Sequence, residues 1–201
     1  MSLRPALAAL LLLALSGCVA FEHSPATALS CDPALAGRWR ADRDGPGPGR
    51  EIVVDAQCQA QWPVQEGAVD VSLRGYTQGA TRYVVLSPDH AQQMLGNEGE
   101  LKFKGNAPKH AVFMAVYRID GDRLHAWLPD PARIKAAIGE GKVHGRPLQN
   151  GDPSSLLVQG DASRIAGLFA QGPEPVFGPL STETAAVRLQ RVGAAPIKAA
   201  P

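Results

Sequence analysis

The sequence predicts an α+β, β-dominated fold: an antiparallel curved sheet or partly closed barrel of about eight strands, with two short helices packed on it. Three observations carry this. Short runs of alternating apolar and polar residues recur along the chain, most of them ended by Gly, Pro, Asn or Asp. Asp120-Gly121 stands between two β-rich runs, Ala111–Ile119 and Asp122–Leu128, which is a hairpin pattern. Two later segments repeat one helical unit, Asp130-Pro-Ala-Arg133-Ile134-Lys-Ala-Ala-Ile138 and Asp161-Ala-Ser-Arg164-Ile165-Ala-Gly-Leu-Phe169.

Taken in order, Leu35–Arg40 opens the first strand, and Gly45-Pro46-Gly47-Pro48-Gly49 is a loop, because neither residue type continues a ladder cheaply. Glu51–Asp55 and Gln57–Val64 follow as strands. In the second, Cys58, Ala60 and Trp62 alternate against three glutamines, which puts Cys58 on the apolar face. Val69–Tyr76 and Thr81–Leu86 join across Thr77–Ala80, with Gly79 as the turn residue. Asp89 caps a helical turn over Ala91–Leu95 that Gly96 ends. Asn97–Gly99 is a turn and Glu100–Lys104 another strand.

At Asp120-Gly121, a two-residue loop pairs Tyr117 with Leu124, Ala115 with Ala126 and Phe113 with Leu128, and sets Arg118 against Arg123. A three-residue loop with a bulge instead puts Arg118 near Asp122. The opposite face (Val112, Met114, Val116, His125, Trp127) is too apolar for open solvent and requires a cover. The next segment supplies one: Asp130 caps a helix, Pro131 takes its first position, Ile134 and Ile138 share a face, and Gly139 or Gly141 ends it. The second copy does the same after a strand at Ser155–Gln159. Arg133 and Arg164 are solvated, or paired to a neighbouring acid. Between the copies His144–Pro153 is a polar loop. Gly172–Pro179 is irregular and extended, and Thr184–Val192 is a last strand that pairs with an early one.

Twenty Lys and Arg stand against nineteen Asp and Glu, a net charge of +1, and no basic block stands out. Nucleic-acid binding therefore has no electrostatic footprint, and charge-driven adhesion to anionic membranes has no support. The three tryptophans are dispersed, so no aromatic stacking platform is formed. His23, His90, His110, His125 and His144 have no metal-ligand spacing, and no nucleophile elbow, phosphate loop or His-Glu-x-x-His helix occurs. The sequence therefore assigns no catalytic residue, no metal and no cofactor.

The N-terminus carries more information. Arg4 precedes an unbroken apolar run, Ala6–Leu15. This run makes about 15 Å of helix, half of what a bilayer core requires, and so fits a signal-peptide core. Small residues then lead to a cysteine. Leu15-Ser16-Gly17-Cys18 resembles the lipobox of bacterial lipoproteins. The resemblance implies that residues 1–17 are a signal peptide, that Cys18 carries lipid on its sulfur, and that Cys18 becomes the new N-terminus. Val19, which is not Asp, then implies sorting to the outer membrane of a Gram-negative cell, with the domain facing the periplasm. The alternative is an ordinary secretory signal cleaved elsewhere.

On this division residues 18–30 are a lipidated cysteine and tether, 31–193 one β-rich domain, and 194–201 a flexible tail. With Cys18 lipidated, Cys31 and Cys58 remain as an even pair in an oxidising compartment, the expected disulfide; two buried thiols or a metal site are the alternatives. Gly37-x-Trp39 resembles the opening of lipocalin-like barrels. That resemblance implies a tryptophan closing one barrel end, and a small apolar pocket near Trp39, Trp62 or Trp127; otherwise each tryptophan is core. As a whole the chain resembles small envelope lipoproteins of Gram-negative bacteria.

Three functions follow as expectations. The first is a non-enzymatic lipoprotein whose domain binds another envelope protein or supports assembly, through a sheet face or an open edge strand. The second is a lipocalin-like binder of a small apolar ligand, which requires an enclosed cavity. The third is a hydrolase built on His90, His110, His125 or His144.

Overall fold

The computed structural model describes residues 18–41, 51–64, 67–95, 107–149 and 152–194. The expected turn at Asn97–Gly99, the strand at Glu100–Lys104, the Gly-Pro loop, the signal segment and the flexible tail lie outside them, apart from Ala194. Twelve strands form one mixed sheet among the described residues. They are β1 Val19–Phe21, β2 Gly37–Ala41, β3 Glu51–Val54, β4 Gln59–Pro63, β5 Ala68–Ser72, β6 Gly75–Gln78, β7 Thr81–Leu86, β8 Val112–Asp120, β9 Arg123–Trp127, β10 His144–Gln149, β11 Asp152–Gln159 and β12 Val187–Gly193. Four short helices accompany them: α1 Pro88–Leu95, α2 Pro131–Gly139, α3 Ala162–Gly167 and α4 Glu174–Phe177, with a 3-10 turn at Pro33–Leu35. No described helix is long and apolar enough to cross a membrane.

The β-dominated expectation holds, but the sheet has more strands than eight and is not purely antiparallel. Its longest antiparallel path runs β5-β4-β3-β2-β12-β9-β8-β7-β6. Those two ends, β5 and β6, are consecutive in the chain. No ladder joins them, so pairing does not close the sheet. It curls until Leu73 and Arg74 link its ends, with Leu73 N donating to the Cys58 carbonyl and Val85 N to the Arg74 carbonyl, at 2.8 and 2.9 Å. Gly75 is required at this corner: a Cβ there would lie 1.7 Å from the Tyr83 carbonyl oxygen.

The departure from eight strands comes from β1, from β10 and from the expected strand Val69–Tyr76 being two, β5 and β6, broken at Leu73-Arg74. β8 is long enough to accept two neighbours end to end along one edge: β1 pairs with Val112 and Phe113, and β9 takes over at Val116. β1 then runs parallel to β11, Val19 facing Leu156, and β11 pairs with β10. The segment expected as a tether is therefore central. Val19, Ala20 and Phe21 are all buried, and three consecutive apolar residues suit a strand covered on both faces.

Both faces of β8 are indeed covered. Met114 and Val116 join Val19, Phe21, Tyr83, Trp127, Phe169 and the helix residues Ile134, Ile165 and Val176 in one core. Tyr117 and Ile119 point the other way, into the curl, with Trp39, Ile52, Val54, Ala60, Leu124 and Leu189. Phe113 enters a third cluster with Ala20, Ala111, Leu148 and Leu157. The cover expected for the Met114/Trp127 face is thus α2, joined by its repeat α3. Asp130 and Asp161 cap them as the sequence indicates, accepting from Ala132 N at 2.9 Å and Arg164 N at 2.8 Å. Arg133 lies 3.5 Å from Asp130.

Other expectations change in detail. The hairpin turn is Gly121-Asp122, with Asp120 opposite Arg123, Ile119 opposite Leu124 and Tyr117 opposite Ala126. Gly121 has φ +60° and Asp122 does not have positive φ, so glycine takes the first central position as in a II′ turn. This register places Arg118 opposite His125 and separates it from Arg123. The β6–β7 turn repeats the solution, with Gly79 at φ +60° and Gln78 opposite Thr81. Cys58 lies outside β4, at φ 59° in the turn from Asp55, whose carboxylate accepts from Gln57 N and Gln59 N. Ser87, not Asp89, caps α1, accepting from His90 N at 3.2 Å. The described part of the expected loop His144–Pro153 is β10 and the start of β11; Pro147 is tolerated because β10 is the terminal strand. Gly172–Pro179 contains the one-turn α4, whose Val176 and Phe177 are buried.

Candidate functional site

The residue singled out by the N-terminal motif begins the described fold. Cys18 is half-buried against the third core cluster, and its carbonyl accepts from Leu156 N at 2.8 Å. It is fixed there because Val19–Phe21, immediately after it, are locked between β8 and β11. Leu128, the residue after β9, is 51% exposed. His23 sits just past β1, its ring stacked on His110 with centroids 4.3 Å apart and its Nδ1 2.9 Å from the Gly160 carbonyl.

The expected disulfide is present between Cys31 and Cys58, with Cα atoms 5.4 Å apart. It ties the segment before β2 to the turn before β4, and Cys58 points inward beside Ala60 and Trp62. Next to it Asp32 does three things. Its carboxylate caps the 3-10 turn through Ala34 N at 2.9 Å, accepts from the Tyr117 hydroxyl at 2.7 Å, and lies 3.6 Å from Arg82. The turn carries Leu35 into the curl, where its carbonyl accepts from Trp39 Nε1 at 2.8 Å. Arg191 of β12 stacks over the Trp39 ring, 4.1 Å from its centroid, and donates to the carbonyls of Ala34 and Ala36. Disulfide, turn, tryptophan and arginine together plug this end.

No family model, curated protein or solved structure matches this chain. Its function must be argued from these residues alone.

The three tryptophans do not share a pocket. Trp39 is buried in the interior of the curl, and half-buried Trp62 packs on the same cluster. Trp127 faces the opposite core, its Nε1 donating to the Ser181 carbonyl at 2.9 Å. Beside Asp32, a cleft of about 20 Å³ lined by Ser30, Asp32, Leu35, Gly75, Tyr76 and Tyr117 has room for about one water. The interior expected of an apolar carrier is occupied by side chains.

Burial, and then the Asp32 carboxylate, push the Tyr117 phenol far above its ordinary range, so at neutral pH it is a fixed donor rather than a base. His125 is buried near Trp127, as the hairpin pattern implies, with Nδ1 lacking a partner among the described residues. Among the described residues no side-chain hydrogen bond links a histidine to a carboxylate, and no group of three His, Cys, Asp or Glu is placed to hold a metal. Sequence reasoning missed the Asp32–Tyr117–Arg82 cluster because its members are brought together only by strand pairing. The His23–His110 pair escapes it because an expected tether holds no strand, although the run Val19-Ala20-Phe21 signals one.

Proposed function

We propose that this chain is an envelope lipoprotein, anchored through lipid on Cys18 in the outer membrane and facing the periplasm. Its domain works by binding another envelope protein or supporting assembly, not by catalysis. The observation that carries this reading is Leu15-Ser16-Gly17-Cys18 at the end of a short apolar run. The Cys31–Cys58 disulfide supports it, since such bonds persist in exported proteins. The terminal strand β10 offers the edge a partner would use, softened against indiscriminate pairing by Pro147 and Arg146. The filled interior leaves the small-ligand carrier without a supporting observation.

Replacing Cys18 with serine tests the reading. In a Gram-negative host the unsubstituted chain is expected in the outer-membrane fraction, whereas C18S is released to the periplasm or accumulates as uncleaved precursor. Unchanged processing and membrane retention of C18S would refute it.

A further inference from the structure

The position of Cys18 has a mechanical consequence that rests on the lipoprotein reading and goes beyond it. Had residues 19–30 been a free tether, those twelve residues would reach about 40 Å at full extension, and the domain could take any orientation. Instead the sheet starts one residue after the anchor. The Cys18 carbonyl is bonded to Leu156, and Val19 to Phe21 are buried in register with β11 and β8. Lipid on the Cys18 sulfur must enter the hydrocarbon, while each headgroup layer is only about 5–8 Å deep. The surface beside Cys18 therefore has to lie at headgroup level.

The two registers on β8 identify that surface. Ala20 faces Phe113, and Trp127 faces Val116. Beyond these pairs the two strands share one edge of β8 and leave Met114 and Ala115 between their ladders, so Cys18 and Leu128 flank the same gap. Cys18 packs beside Ala20 and Phe113, and Leu128, next to the inward-facing Trp127, is exposed. An exposed leucine beside a lipidated cysteine suits the boundary between headgroups and acyl chains.

We infer that the domain is docked flush on the lipid surface, with Cys18 and Leu128 forming one membrane-facing patch and the tip of the β8–β9 hairpin pointing away. Asp122, at that tip, is six residues from Leu128, or about 20 Å along the strand. The lipidated full-length product is purified with bimane on L128C or on D122C. Both positions are exposed, and the other cysteines are occupied by lipid or disulfide. Each is reconstituted into phosphatidylethanolamine/phosphatidylglycerol vesicles carrying a shallow doxyl quencher, and the N-terminal peptide is checked for lipid by mass. Flush docking is expected to quench the Leu128 label at least twofold more than the Asp122 label. A lipidated protein with equal quenching at the two positions would overturn the docking while leaving the anchor intact. An unlipidated Cys18 would overturn both.

Discussion

Arg191 shows how single side chains hold the plugged end. Its guanidinium covers the Trp39 ring and satisfies two carbonyls of the 3-10 turn, contacts a shorter or differently shaped cation cannot reproduce. Arg191→Ala is expected to lower stability by about 2–3 kcal/mol, read as a lower urea midpoint at constant slope; an unchanged midpoint would show that the plug is held by the disulfide alone. The tyrosines report on the interior more directly. Burial raises all three phenols: Tyr83 is pushed up to about 12, aided by nearby Glu174, and Tyr76 and Tyr117 are shifted further. The unfolded chain loses these protons first, near pH 10. Their contribution to stability is thus complete below about pH 10 and is lost progressively above it, Tyr83's as pH reaches about 12 and the other two beyond. Absorbance at 295 nm is expected to show phenolate only as the far-UV circular dichroism collapses; three phenols ionising near pH 10 in the folded chain would contradict their burial.

At the scale of elements, the paired Asp-capped helices were legible because their chemistry is local. Asp130 and Asp161 satisfy amides two or three residues on, and the isoleucine four residues after each aspartate lands on the sheet. Ile165→Ala is expected to cost about 2–5 kcal/mol, and Asp130→Ala about 1 kcal/mol. Thermal unfolding of both variants checks the order; equal effects would mean that α3 is not packed as described. The hairpin was legible in existence but not in register. Both choices, Asp120-Gly121 and Gly121-Asp122, leave Tyr117, Ile119, Leu124 and Ala126 on one face; the observed one sets Asp120 rather than Arg118 against Arg123. β10 was hidden because Gly145 and Pro147 read as loop. Yet Gly145 is needed for close approach, since a Cβ there would sit 2.5 Å from Ile138 Cδ1 and 2.9 Å from the Leu157 carbonyl. Only the assembled α2–β10–β11 layer reveals that.

At the scale of the molecule, β8 organises three cores and the disulfide fastens the end of the curl. Breaking Cys31–Cys58 by paired serine substitution is expected to lower stability by about 3–4 kcal/mol, from the loop of about 28 residues it closes; identical urea curves with and without the bond would contradict its structural role. The pairing of β1 is illegible in the sequence because it is non-local: the partners, β8 and β11, lie some 90 and 137 residues further along the chain, and nothing in three apolar residues names them. The candidate site was legible in one respect, the cysteine that ends the N-terminal motif, and illegible in another, its seating in the sheet. The most direct measurement is the mass of the N-terminal peptide of the mature chain, isolated from the membranes of a Gram-negative host. It is expected to begin at Cys18 and to carry lipid on that residue. A chain that begins elsewhere, or an unmodified Cys18 recovered in the soluble fraction, would contradict it.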